Sequence, residues 1–184
     1  YVLASSLSSD SKYVLRAQDN VIFNADVVFG TTGGDAAKFV SVEAGEAIRS
    51  EPGVTSISTA GGALSLNAGT TIDIGAAINT NGGVLTINSA GAAALSGGVA
   101  GSGSALVKLG AGELSLSGSN SYSGGTSIRA GTLRTAAAFA LPAGGAVSLE
   151  GTAVLNLDDK PQSIGNLSGA SGTSITLGGN ESGK

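Results

Sequence analysis

The sequence predicts an all-β protein built as a parallel β-helix, in which each coil of the chain stacks on the one before it. Apolar residues alternate with polar ones along short segments, as in Leu64 and Leu66 or Leu114 and Leu116. A period of two indicates strands with one buried face. The middle of the chain also repeats itself, and a fixed repeat is typical of solenoids, in which each unit contacts only its neighbours.

The repeat is most regular between residues 61 and 102. GGALSLN at 61–67 aligns with GGVLTIN at 82–88, an offset of 21 residues. The offset predicts four stacked pairs: Leu64 on Leu85, Leu66 on Ile87, Ile74 on Leu95 and Ile78 on Val99. Looser offsets of 27 and then 24 residues align Leu15, Val42 and Leu66. An antiparallel sandwich or barrel would also use short strands, but it gives no reason for such a repeat.

The composition restricts the core and the partners. The chain of 184 residues has 31 Gly and no Cys, Met or Trp, so the core must consist of aliphatic layers without disulfides. Asp73 is the only charged residue between 52 and 107, and a clustered basic surface for nucleic acid is missing.

The best helical candidate, RTAAAFALPAGG at 134–145, is interrupted by Pro142 and two glycines, so we expect a loop or single turn.

The segment LVKLGAGELSLSGSNSYSGGTSIRAGTL at 106–133 resembles the autotransporter-associated β-strand repeat of Gram-negative surface proteins. That family's pattern runs L-x-K-x-G-x-G-x-L-x-L-x-G, then N-x-Y-[ST]-G-G-T, then A-G-T-L. The matching residues include Lys108, Gly110, Gly112, Leu114, Leu116, Gly118, Asn120, Tyr122, Gly124, Gly125, Thr126, Ala130, Gly131, Thr132 and Leu133. Upstream, residues 61–91 are similar to the coils of filamentous-haemagglutinin-type β-helices.

The resemblance implies a right-handed β-helical passenger, exported through an outer-membrane β-barrel in cis and displayed on the cell surface. We expect one passenger segment over 1–184, with more charged and divergent coils at 1–60. Regular coils follow at 61–105, and the recognised repeat with later coils occupies 106–184. The segment is expected to be a non-catalytic stalk and an adhesion or self-association surface of a secreted virulence protein. Expected partners are a host-cell or matrix receptor, a glycan, or another copy.

The same resemblance associates the repeat with folding during secretion. If coils fold one after another, each templates the next. The repeat, with its strong turn signals, is then the expected stable nucleus. Amides in 106–177 should therefore exchange more slowly than those in 1–50.

Within the recognised repeat the residue types indicate structural roles. Leu114 and Leu116 are expected to fill the coil, and Gly124 and Gly125 to permit positive φ at a corner. Gly110, Gly112 and Gly131 belong to the same motif. Tyr122 has two interpretations. It packs over its own turn while the Asn120 side chain caps backbone groups, or it contacts a glycan or receptor.

Nothing in the sequence predicts catalysis, a metal site or a cofactor. The chain has no His and no Cys, which excludes triads that use them. Ser9 to Lys12 matches S-x-x-K but lacks the companion motifs of penicillin-recognising enzymes. Gly33-Gly34-Asp35 lacks the middle glycine of calcium-binding coils. The alternative function is a fragment of a β-helical polysaccharide lyase or hydrolase, or of another virulence effector. A lyase or hydrolase needs clustered acids. The candidates are Asp158 with Asp159, Glu43 with Glu46, and Asp73.

Overall fold

The computed structural model describes residues 12–30 and 39–178, and within them every regular element is a β-strand. The strands wind into a solenoid of parallel sheets, and we call each turn of the chain a rung. Two of the sheets contain eight strands each, so the described residues form eight rungs. The predicted parallel β-helix is confirmed.

The first four rungs have three strands each, and the last four have two. Rungs one to four consist of β1 (Lys12–Ala17), β2 (Val21–Phe23) and β3 (Val27–Phe29); β4 (Phe39–Ala44), β5 (Ile48–Ser50) and β6 (Ser56–Thr59); β7 (Ala63–Ala68), β8 (Ile72–Ile74) and β9 (Ala77–Asn79); and β10 (Val84–Ser89), β11 (Ala93–Leu95) and β12 (Val99–Ala100). Rungs five to eight consist of β13 (Ala105–Leu109) and β14 (Glu113–Leu116); β15 (Thr126–Ile128) and β16 (Thr132–Thr135); β17 (Val147–Leu149) and β18 (Val154–Asn156); and β19 (Leu167–Gly169) and β20 (Ser174–Thr176).

Three sheets run along the rod. Sheet 1 has the order β1-β4-β7-β10-β13-β15-β17-β19, and sheet 2 has the order β2-β5-β8-β11-β14-β16-β18-β20. Sheet 3, with the order β3-β6-β9-β12, stops after the fourth rung. From rung five onward the third side of the rod is formed by the loops 117–125, 136–146 and 157–166. The segment 134–145 holds no helix. It completes β16 and then turns away from the sheet, as predicted.

The predicted register is confirmed pair by pair. Leu64 pairs with Leu85 and Leu66 with Ile87 in sheet 1, while Ile74 pairs with Leu95 in sheet 2 and Ile78 with Val99 in sheet 3. The looser offsets also hold, because Leu15 pairs with Val42 and Val42 with Leu66. Stacking like residues on like residues therefore fixes how the rungs align.

The core is a set of single-file columns along the rod. In sheet 1 one inward column runs through Val42, Leu66, Ile87, Lys108, Ile128 and Leu149. All of its apolar members are buried, and Lys108 is equally buried at 0% exposure. A lysine thus occupies a place that an aliphatic residue holds in the neighbouring rungs.

Candidate functional site

The recognised repeat forms rungs five and six, and its leucines lie where the sequence predicts them. Leu114 and Leu116 are both 0% exposed and point into the rod from β14. Leu114 pairs with Ala93 below it and with Leu133 above it. Each such side chain contributes roughly 1.5–3 kcal/mol of hydrophobic stabilisation.

The glycines of the repeat serve two different purposes. Gly125 has φ +90°, a conformation that favours glycine, as expected for a corner. Gly124 does not have a positive φ, so the prediction for it is wrong. A Cβ at Gly124 would instead lie 2.7 Å from the carbonyl oxygen of Gly103 in the rung below. At Gly112 a Cβ would overlap the carbonyl oxygen of Gly91. Close approach between rungs therefore explains these two glycines.

Asn120 joins three successive rungs through its side-chain amide. Its Oδ1 accepts a hydrogen bond from the backbone N–H of Val99 at 2.7 Å. Its Nδ2 donates to the carbonyl oxygens of Gly118 at 2.9 Å and Ala140 at 2.6 Å. An amide side chain carries the same donor and acceptor as a peptide group. Asn120 therefore substitutes for a strand at the point where sheet 3 ends.

Tyr122 lies inside the rod. Its side chain is 1% exposed, and its hydroxyl is 2.7 Å from Oγ1 of Thr126, which is also buried. Burial raises the pKa of Tyr122 to about 12. This placement agrees with the packing interpretation and leaves no ring face exposed for a glycan or receptor.

Lys108 is the residue whose environment the sequence analysis missed. Its Nζ donates to the carbonyl oxygens of Leu109 at 2.6 Å, Gly110 at 2.8 Å and Ala130 at 3.2 Å. An ammonium group has three N–H donors, and all three are used. Because Ala130 belongs to rung six, the lysine links two rungs from inside. Burial lowers the pKa of Lys108 to about 8.

A signal for this burial was present in the sequence. Lys108 follows Leu106 by two residues, so the period of the strand places both side chains on the inward face. The charge alone suggests an exposed residue, since lysine is almost never fully buried unless its ammonium finds partners.

Arg134 connects rungs five to seven on the outer face of sheet 2. Its Nε lies 2.9 Å from Glu113 Oε1, and its Nη1 lies 3.0 Å from Asp158 Oδ2. The hydrogen bond with Glu113 is the main cause that raises the pKa of Arg134. Asp158 and Asp159 both have positive φ in the turn after β18. Asp158 therefore forms an ion pair with Arg134.

Of the other acidic candidates, Asp73 lines the same surface pocket as Glu113 and Arg134, whereas Glu43 and Glu46 make their contacts with the first rung. Glu43, on sheet 1, pairs with Arg16 at 2.6 Å, and this hydrogen bond holds the pKa of Glu43 below its usual value. Glu46 accepts a hydrogen bond from Asn20 at 3.2 Å, and Asp73 is exposed on sheet 2. The described residues contain no group of three acidic side chains arranged to hold a metal ion. The motif Gly33-Gly34-Asp35 and residues 9–11 of the S-x-x-K match lie outside the described residues.

Asp26 is a polar contact that the sequence analysis did not single out. Its carboxylate accepts hydrogen bonds from the Thr55 N–H and hydroxyl, both at 2.6 Å, and from the Ser56 N–H at 3.0 Å. The hydrogen bond from the Thr55 side chain is the main cause that lowers the pKa of Asp26. Asp26 thus ties the first rung to the second.

Comparison with known proteins identifies the repeat. Residues 106–134 match the family model described as the passenger-associated-transport-repeat. No curated protein and no solved structure matched the chain. In the part of the chain that the structure describes, no helix has the length and apolarity needed to cross a membrane. The match covers rungs five and six, including Lys108, Asn120 and Tyr122, and lies within a continuous parallel solenoid. Residues 106–134 thus carry a passenger-associated transport repeat within a β-solenoid, which fits a segment of an autotransporter passenger.

Proposed function

We propose that this segment is a non-catalytic stalk of a secreted passenger, displayed on the surface of a Gram-negative bacterium, that also serves adhesion and self-association. The observation that carries the proposal is the continuity of sheets 1 and 2 through all eight rungs, with the transport repeat inside them. Each rung contacts the next along its whole length, so the segment extends as a rod. In cis, the partner would be the outer-membrane β-barrel of the parent protein.

The outer face of sheet 1 is the surface that supports self-association. Ser41, Ser65 and Thr86 form one row in register on the side of sheet 1 away from the core, and Thr86 is its most accessible member because Ser41 and Ser65 are only 4% and 8% exposed. Asn67 and Asn88 form a parallel row, joined by a hydrogen bond of 3.3 Å from Nδ2 of Asn88 to Oδ1 of Asn67. Between residues 65 and 88 these rows carry hydroxyl and amide groups and no charge, so they can pair with the same rows of another copy. A host-cell receptor, a matrix protein or a glycan would use the same accessible face.

Lysine substitutions on bacteria that display the passenger test this surface. Thr86→Lys together with Asn88→Lys places like charges on the outward rows of sheet 1. We expect these bacteria to stop clumping. The matched control is Ala94→Lys, which adds a charge to the outer face of sheet 2 in the same rung. Equal clumping of the sheet 1 variant and the wild type would contradict the proposal.

The repeat is also proposed to support folding during secretion. Gly112→Ala introduces a clash with the Gly91 carbonyl inside the repeat, and Gly69→Ala introduces an equivalent clash with the Gly45 carbonyl outside it. If the repeat has a special role, Gly112→Ala will reduce the amount of displayed passenger more than Gly69→Ala. Gly75→Ala is the neutral control, because its nearest neighbours are side-chain oxygens at 3.8 Å. If Gly69→Ala and Gly112→Ala reduce the amount of displayed passenger equally, the loss is a general folding defect, and the proposed special role of the repeat is contradicted.

A further inference from the structure

The loop 136–146 presents an exposed aromatic ring on the third side of rung six. Phe139 is 61% exposed and is the one aromatic among the exposed large apolar side chains of the described residues. The neighbouring Ala140 and Leu141 are each 1% exposed. The chain therefore turns two apolar residues inward and the largest one outward.

The backbone at Phe139 is held in an unfavourable conformation. Its φ is +54°, in the left-handed region that bulky residues rarely adopt. The conformation costs on the order of 1–2 kcal/mol for an L-residue with a Cβ. Strain of this kind persists only where the surroundings impose it, and it is a reason to look for a function.

Hydrogen bonds from both adjacent rungs impose this conformation. The Phe139 N–H donates to the Pro161 carbonyl at 2.9 Å. The Ala140 carbonyl accepts from Asn120 below, and the Leu141 N–H donates to Oε1 of Gln162 at 3.0 Å above. The backbone that carries the ring is therefore held in place before any partner arrives, which lowers the entropic cost of binding.

The surroundings of the ring define the chemistry of a partner. The loop 136–146 and the loop 117–125 below it carry no charged residue, and Asp159 and Lys160 in the loop above have opposite charges. Ser119 and Ser163, on the rungs below and above, are exposed and offer hydroxyl groups. A single exposed ring, on a loop whose neighbouring loops carry hydroxyl groups, lacks the broad apolar centre of a protein interface. It matches a neutral sugar ring, whose apolar C–H face packs on an aromatic ring while its hydroxyls form hydrogen bonds.

We propose that Phe139 and the loop that holds it form a contact site for a neutral, hexose-containing glycan. The inference rests on the adhesive role proposed above and gives it a ligand class. Phe139 supplies the stacking face, and Asn120 and Gln162 are positioning residues that act through the loop backbone. A glycan contact was one of the two interpretations of Tyr122 in the sequence, but Tyr122 is buried, whereas Phe139 has the exposure that the contact requires.

Binding of oligosaccharides to the purified protein tests the inference. The probes are lactose, cellotriose and maltotriose as neutral sugars, with sialyllactose and a heparin tetrasaccharide as charged ones. We expect at least one neutral probe to bind and to shift the NMR signals of the Phe139 ring. Phe139→Gly should weaken that binding about tenfold, the equivalent of one stacking contact. The control Val84→Ala, at another exposed apolar residue, should bind as the wild type does.

The stability of the same variant separates a binding role from a structural one. Glycine adopts positive φ without strain, so Phe139→Gly should be no less stable than the wild type. Failure of all neutral probes to bind, undiminished binding by Phe139→Gly, or preference for the charged probes would overturn the inference. Unfolding of Phe139→Gly would do the same, because it would make Phe139 a structural residue. The clumping assay on sheet 1 does not involve Phe139, so either proposal can fail while the other stands.

Discussion

Rungs one to four and rungs five to eight close the third side of the rod in different ways. In the first four rungs a backbone ladder, sheet 3, closes it. In the last four, side-chain amides join the loops. Asn120 bonds Val99 and Ala140, and Gln162 bonds the Leu141 N–H and, at 2.9 Å, the Ala137 carbonyl. An amide that replaces a peptide group lets the chain leave strand geometry without unpaired buried polar groups. The second half therefore has longer loops on this side, and side-chain amides supply part of the pairing that sheet 3 provides in the first half.

The largest expected effect comes from shortening a core leucine, and it tests whether both halves share one core. Leu95 in rung four and Leu116 in rung five pair directly in sheet 2, and both are buried. Leu95→Ala and Leu116→Ala should each lower the free energy of unfolding by about 3 kcal/mol, measured in urea. A loss for Leu116→Ala below half of that for Leu95→Ala would mean that the two-strand rungs are more loosely packed.

The next effect concerns the amide that replaces sheet 3. Asn120→Ala leaves the Val99 N–H and the Ala140 carbonyl without their partner, and each unsatisfied buried group costs about 1–3 kcal/mol. We expect a total loss of about 2–4 kcal/mol in thermal or urea unfolding. Asn88→Ala, on the outer face, is the matched control and should change stability by less than about 0.5 kcal/mol. Equal effects of the two variants would show that Asn120 does not replace the ladder.

The smallest expected effect is a dependence of stability on pH above neutrality, which arises from Lys108 in the second half. The pKa of Lys108 falls from 10.5 to about 8 on folding. Between these values the unfolded chain binds more protons than the folded one, so the free energy of unfolding rises with pH. From pH 7.5 to 9.5 we expect a gain of about 1–2 kcal/mol in urea unfolding.

Lys108→Met is the variant that checks this origin, and it should remove the rise with pH. The measurement should stay below pH 10, because Tyr122 acts in the opposite direction there. Its pKa is raised to about 12, so the unfolded phenol ionises first and stability falls as pH increases. A rise of the same size in Lys108→Met would assign the pH dependence to another group.

The sequence predicted the fold in detail and the site only in part. The pairing of Leu64 with Leu85 could be predicted because one apolar residue in each rung marks the inward column. The end of sheet 3 could not be predicted, because its strands have only two to four residues, too few to show a clear alternation of apolar and polar residues. The contacts of Asn120 depend on the paths of loops about 20 residues away on either side. The position of Lys108 in its strand indicated an inward side chain, but a charged residue is normally expected to be exposed, so its burial was not predicted.

The last rung changes one of the expectations from sequence. Slow hydrogen exchange was predicted for residues 106–177, yet β19 and β20 are exposed along their whole length. Leu167 and Ile175 are 44% and 42% exposed, because no further rung covers them among the described residues. Exposed strands open locally at low cost. We therefore expect the slowly exchanging region to end in rung seven, near residue 156, when exchange is followed by mass spectrometry.

The direction of the hydrogen bonds gives the rod a particular mechanical behaviour. Strands lie across the rod, so the bonds of sheets 1 and 2 point along it, and tension between its ends loads the rung interfaces in series. The weakest interface then limits the strength of the whole rod. Lys108 fastens rung five to rung six from inside, while Asn120 fastens rungs four, five and six from the third side. Under a pulling force, rungs should therefore separate first outside the transport repeat, because the extra hydrogen bonds of Lys108 and Asn120 strengthen the interfaces between rungs four, five and six.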